Sequence, residues 1–291
     1  MSHSIAKRAV AVLGIAGLGV VTAAATAAPA AALTEGQAVA AVERFMAAWN
    51  TRDPAAFAAT LHYPHVRPSP RSGGEVYATA EEYAATIDFA QVAATGWEKS
   101  VLDSTRVVHL GPGKAHVAGQ YARLRADGSR LFTTQVTYVV TEREGSTGIQ
   151  ARLAAGLVLD SEEARRDAAA GAVEVVERYM AAFNARDEEA WASTLHYPHL
   201  RLAGGALRTF PAREDYLAAF DFAEFAARLG WDSSEWESID AVQVGAAGVN
   251  VALRATRRDA KGAPLSTFDT LYLVTRENGR WGVRARSSFA E

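Results

Sequence analysis

The chain of 291 residues contains no cysteine. That excludes disulfides, thiolate nucleophiles, thiolate metal sites and a cysteine-linked lipid anchor. Basic residues form no block, and the formal charge is −3; a nucleic-acid partner is therefore not expected. No phosphate-binding glycine loop, serine elbow or HExxH pattern occurs, so the nucleotide, serine-hydrolase and zinc-protease classes recede and no cofactor is implied. Long hydrophobic runs are also scarce. The single one lies near the start, where Lys7 and Arg8 precede the apolar Ala9–Val21 and the small-x-small triplet Ala25-Thr26-Ala27. This is the pattern of a secretory signal peptide. Residues 1–32 are therefore expected to be a signal segment and short mature N-terminus, removed on export. An exported chain without disulfides fits a bacterial periplasmic or secreted protein.

What is present is a repetition. RFMAAWNTRD at 44–53 returns as RYMAAFNARD at 178–187, and His62-Tyr63-Pro64-His65-Val66-Arg67 returns as His196-Tyr197-Pro198-His199-Leu200-Arg201. The offset is 134 residues, and 18 of 26 positions agree between 42–67 and 176–201. Such self-similarity means two homologous domains, expected at 33–158 and 159–291. With 49% hydrophobic residues, each half can build its own core.

Each unit reads as helices followed by strands. In the first, Thr34-x-x-Gln37 opens a helix, and Val39, Val42, Phe45, Met46 and Trp49 form its apolar face. A short helix follows Pro54, then the extended His62–Arg67 segment and a Pro/Gly/Ser loop. A third helix, capped by Thr79, carries Tyr83, Ile87, Phe89 and Val92 inward. Strands are expected at Val101–Leu110, Lys114–Arg125, Arg130–Glu142 and Gly148–Leu153. The second unit repeats the order, with one helix over Ala212–Leu229 and Ser161–Ala170 as connector. The fold class is α+β: two tandem cone-shaped domains, each of three helices packed on a curved, mostly antiparallel sheet. A cone of this kind leaves a cavity suited to a small molecule.

The element order, the RYMAAFNARD helix end, the LHYPH-x-R strand, the Gly-Trp pairs and the closing WGVRARSSF resemble the SnoaL-like branch of the nuclear transport factor 2-like superfamily. The resemblance covers nearly all of the chain beyond the signal segment. It implies the fold but no single activity, since isomerases, dehydratases, cyclases and non-enzymes share it. In the related ketosteroid isomerases a helix-1 tyrosine acts on the enolate oxygen; it falls at Tyr179 and at Phe45. Their proton-shuttling aspartate falls at Ala203 and Ser69, so that mechanism is not carried over intact. Superfamily members often dimerise through their sheets, which implies an intramolecular pseudo-dimer or a homo-oligomer.

The residues kept in both copies supply the candidate sites. In a regular strand Tyr63, His65 and Arg67 would share one face and His62 and Val66 the other; Tyr197, His199 and Arg201 repeat this. Imidazole can move protons near neutral pH, and guanidinium can grip a carboxylate. The alternative is structural: histidines bonding the short helix and its loop, arginines pairing with carboxylates. Asp88 and Asp221, set among Phe and Ala, are either buried bases or ion-pair partners of Arg67 and Arg201. His62 and His65 lie on opposite strand faces, and a metal would need His109 or His116, where the second unit has Gln243 and Asn250; no metal is expected. Arg152 and Arg286 on the last strand either line a cavity or pair with surface acids. The expected ligand contacts are Tyr63, His65, Arg67, Asp88, Trp97, Tyr179 and Trp231. The expected function is binding of a small, largely apolar molecule. The alternatives are a cofactor-free lyase or isomerase using His199, Tyr197, Asp221 and Arg201, and a non-catalytic interaction module.

Overall fold

The computed structural model describes residues 33–68 and 75–290; the signal segment expected at 1–32 lies outside them. Among the described residues no helix is long and apolar enough to cross a membrane. The first repeat runs α1 (Glu35–Asn50), α2 (Pro54–Ala58), β1 (Leu61–Arg67), β2 (Glu75–Tyr77), α3 (Ala80–Ala84), α4 (Phe89–Ala94), β3 (Lys99–Gly111), β4 (Lys114–Leu124), β5 (Arg130–Arg143) and β6 (Ser146–Leu157). The second runs α5 (Glu162–Ala185), α6 (Glu188–Ser193), β7 (Leu195–Ala203), β8 (Ala206–Phe210), α7 (Arg213–Ala218), α8 (Phe222–Leu229), β9 (Ser233–Gly245), β10 (Gly248–Arg258), β11 (Pro264–Glu277) and β12 (Arg280–Ser288).

Local chemistry sets these boundaries. The expected capping box forms at α1: Thr34 accepts from the Gln37 N–H, and the Gln37 side chain accepts from the Thr34 N–H. The connector becomes the first turns of α5, capped by Ser161. The single third helix expected in each repeat is instead two short ones. Asp88 and Asp221 divide them, each accepting the backbone N–H three residues on, from Gln91 and Glu224. An aspartate in extended backbone at that position starts a new helix.

Each repeat forms one six-stranded sheet, ordered β2-β1-β6-β5-β4-β3 and β8-β7-β12-β11-β10-β9. The β1–β6 and β7–β12 pairs are parallel and every other pair is antiparallel. Alternation along each strand gives the sheets two different faces. Tyr138 and Val140 face the helices, in one core with Phe45 of α1 and Phe57 of α2. Val139 between them joins Val66 and Leu153 against Leu200, Leu271 and Leu273 of the second repeat. The sheets thus pack back to back and the helices cover the outer faces.

A polar seam accompanies that apolar contact. Gln243 accepts from Thr137 Oγ1 at 2.8 Å and donates to the Gly119 carbonyl at 2.9 Å. Asn250 donates to Gln243 and to the Leu153 carbonyl. At the equivalent positions of the first repeat, His109 and His116 bond each other, and His116 reaches Ser287 Oγ at 2.8 Å. The two repeats therefore differ here because each must complement the other's back. His109 and His116 serve the contact between repeats.

Candidate functional site

The HYPH-x-R strand does not follow simple alternation. The register of β1 against β6 shifts between Leu61 and Val66, and β7 shifts likewise against β12. The Tyr63–Pro64 and Tyr197–Pro198 peptides are cis. His65 and Val66 are both fully buried, where alternation placed them on opposite faces. His62 Nδ1 bonds Thr141 Oγ1 at 2.8 Å and His196 Nδ1 bonds Thr275 at 2.9 Å. The two rings lie on Gly148 and Gly282, where a Cβ would come within 2.5 and 2.7 Å of them. Tyr63 and Tyr197 donate their hydroxyls to the carbonyls of Ala58 and Ala192, ending the short helices. His65 and His199 bond the carbonyls of Ile149 and Val283 through Nδ1, at 3.0 and 3.1 Å. A carbonyl accepts only, so Nδ1 carries the proton in both rings. Burial, then the charge of Arg152, pulls His65 down to about 3; burial and Arg286 hold His199 well below the usual histidine range.

In each copy the tyrosine and both histidines of the motif thus hold the strand in place. Only its arginines reach open cavities. Asp88 and Asp221 are helix caps, not buried bases, and neither pairs with Arg67 or Arg201. Trp97 and Trp231 are buried, donating Nε1–H to Ser100 and Ser234. Arg52 and Arg186 cover their rings. Of the set His199, Tyr197, Asp221 and Arg201, the last two line one cavity, while His199 and Tyr197 bond backbone carbonyls and hold the strand.

The first repeat contains a cavity of about 250 Å³ between α1 and the sheet. Its apolar wall includes Phe45, Met46, Trp49, Val136 and Tyr138, and three arginines, Arg67, Arg123 and Arg152, enter it. Arg67 lies 3.7 Å from Glu75. Arg152 donates to the Tyr83 hydroxyl at 2.6 Å and covers Phe45. Arg123 lies over Trp49 and Phe132. The buried Nε–H groups of Arg123 and Arg152 have no acceptor. Burial, together with the charges of Arg152 and Arg67, lowers Arg123 from its ordinary value.

The second repeat carries the same three arginines 134 residues later, Arg201, Arg257 and Arg286. Arg286 bonds the hydroxyls of Tyr179 and Tyr216. Its inner cavity is only about 80 Å³. Phe268 and Trp236 stand where the first repeat has Thr134 and Leu102, outweighing the replacement of Tyr121 by Ala255. A larger, polar cavity of about 430 Å³ lies at its mouth, lined by Arg201, Arg208, Arg228 and Arg257 together with Asp221 and Glu224.

The family model described as NTF2-like protein (DUF6841) matches residues 35–151 and again 167–288. The chain belongs to this NTF2-like family. No curated protein matches it. Among solved structures it is similar to Aln2 from a Streptomyces species, at 22% identity over 45% of this chain and 94% of that one, with a TM-score of 0.36. It is also similar to an NTF2-like protein with a cystatin-like fold from Novosphingobium aromaticivorans, at 14% identity over 43% and 82%, TM-score 0.37. A protein of unknown function from Nostoc punctiforme matches at 12% identity over 42% and 90%, TM-score 0.36.

Within this NTF2-like pair of repeats, the residues that sequence reasoning missed are Arg123 and Arg257. The signal was available: the two arginines sit 134 residues apart, near the ends of the equivalent strands β4 and β10. Arg152 and Arg286, left open between cavity and surface, line the cavities. Of the expected ligand contacts, Arg67 lines the first cavity and Tyr179 the second, while Tyr63, His65, Asp88, Trp97 and Trp231 line neither; Arg201, expected in the catalytic alternative, also lines the second.

Proposed function

We propose that the protein binds a small, mainly apolar molecule with a carboxylate or similar acceptor head in the cavity of its first repeat. The observation that carries this is the pair of buried guanidinium Nε–H groups without acceptors, set in an aromatic and aliphatic wall. Buried donors are normally satisfied, and a carboxylate supplies the fork-shaped acceptor that arginine fits. The volume of about 250 Å³ falls just below the roughly 300–1,000 Å³ of drug-sized pockets, which points to a compact ligand. The apolar wall supplies affinity at about 25 cal/mol per Å² of buried apolar surface, and the arginines select the head group.

Native mass spectrometry of the purified full chain tests this directly. An additional mass released on denaturation and carrying an acidic group is expected. Protein that carries no ligand and binds neither octanoate nor decanoate on titration counts against the proposal. The protein is further proposed to be exported, on the strength of the Lys7–Ala27 pattern; recovery from the periplasm or medium with an N-terminus near Ala28 is the expected result, and recovery from the cytoplasm with Met1 intact the contrary one.

A further inference from the structure

We propose that the mouth of the second repeat is a separate binding site for a compact oxyanion carrying two or more charges, of the phosphate or phosphate-monoester class. Arg201 on β7 is directly opposite Arg208 on β8, and on its other side directly opposite Arg286 on β12. Three guanidiniums therefore stand in one row across adjacent strands. Like charges opposite one another in a sheet are destabilising, so the row needs a counter-charge.

Among the described residues no ion pair provides one: none of Arg201, Arg208, Arg228, Arg257 and Arg286 forms such a pair. The charge of Arg286, followed by burial, pulls Arg201 down to about 10, and burial followed by Arg228 and Arg286 lowers Arg257. The Nε–H of Arg286 is buried without an acceptor. Two carboxylates share the mouth, Asp221 and Glu224. Asp221 already accepts the Glu224 N–H as a helix cap. Four guanidiniums still face two carboxylates around the opening, with Arg286 behind them.

The first repeat shows that this charge is not a requirement of the fold. At the position of Arg208, opposite Arg67, it has Glu75, which lies 3.7 Å from the Arg67 guanidinium. The same structural slot thus neutralises the arginine in one copy and adds a further positive charge in the other. The second repeat's apolar interior is filled, at about 80 Å³, while its charged mouth is open, at about 430 Å³. A ligand there is held by charge rather than by apolar burial. Planar guanidinium forks suit phosphate oxygens, and a group with two charges answers an excess of this size better than a monocarboxylate.

Calorimetric titration of the full chain at low ionic strength with inorganic phosphate, pyrophosphate and phenyl phosphate tests the site. Saturable binding of pyrophosphate is expected, weakened at least tenfold by Arg208→Glu and by Arg228→Glu. Both arginines are exposed, so the variants should keep the wild-type circular dichroism. Octanoate binding in the first repeat should be unchanged in both. Tighter binding of phenyl phosphate than of inorganic phosphate identifies an ester-borne group; the reverse identifies the free ion. Absence of saturable binding to all three probes, or binding insensitive to both substitutions, overturns the proposal without touching the first-repeat cavity.

Discussion

Acidification is expected to weaken the fold through His65 and His199. Both imidazoles are inaccessible to solvent, and in both Nε2 is buried without a partner while Nδ1–H is held by a carbonyl. A second proton would enter a site with no acceptor and with Arg152 or Arg286 nearby. In the unfolded chain each ring takes that proton near pH 6.5; in the folded chain His65 does so only near 3 and His199 well below the ordinary value. Between those limits the unfolded state binds more protons. Stability from these residues is therefore fully present above pH 6.5 and declines as the pH falls. At about 1.36 kcal/mol per pH unit, lowering the pH from about 7.5 to about 5 removes about 2 kcal/mol through His65, and His199 adds a loss in the same direction. Urea unfolding at the two pH values measures the loss. The double variant His65→Gln/His199→Gln keeps a side-chain N–H for the carbonyl and cannot titrate. Its loss should be smaller than that of the wild type by at least about 2 kcal/mol, other carboxylates and histidines contributing equally to both. Equal losses in the two proteins would show that the two buried imidazoles do not set the acid sensitivity.

Two further substitutions probe the frame. Asn184 donates to the Ser234 carbonyl at 2.7 Å and accepts the Ser234 N–H at 2.8 Å, tying the end of α5 to β9 as Asn50 ties α1 to β3; Asn184→Ala should cost about 1–3 kcal/mol in urea or thermal unfolding by leaving the backbone pair unmet, and a change below about 0.5 kcal/mol contradicts the latch. Gly282→Ala sets a Cβ 2.7 Å from the His196 ring and should destabilise by about 1–3 kcal/mol, with a second change, His196→Ala, removing most of the added penalty in a double-mutant cycle; additive effects would show that the ring is not the obstacle.

The strands and long helices were legible because hydrophobic period and caps agree with the tertiary packing. The HYPH-x-R motif is visible through its repetition, yet strand alternation misassigns its side chains. Alternation assumes regular pairing, and the shift between Leu61 and Val66 accompanies the burial of two consecutive residues, His65 and Val66. Asp88 and Asp221 stand out as acids among apolar neighbours, whereas their position three residues before Gln91 and Glu224 carries the capping signal. The arginine sets were hidden for a different reason. Arg67, Arg123 and Arg152 come from β1, β4 and β6, and only the folded sheet order brings those strands around one cavity. A long arginine also reads as a surface residue unless its surroundings are known.

The first-repeat cavity is proposed to hold an apolar body with an anionic head against Arg123 and Arg152. Calorimetric titration of octanoate beside 1-octanol, into wild type, Arg123→Met and Arg152→Met, measures it most directly. Loss of a charge-assisted bond of about 1.5–3 kcal/mol predicts a Kd at least tenfold weaker for octanoate in either variant, with 1-octanol binding little changed. Equal affinity of the acid and the alcohol for the wild-type protein, or octanoate binding indifferent to both arginines, would show that the guanidiniums do not hold an anionic head.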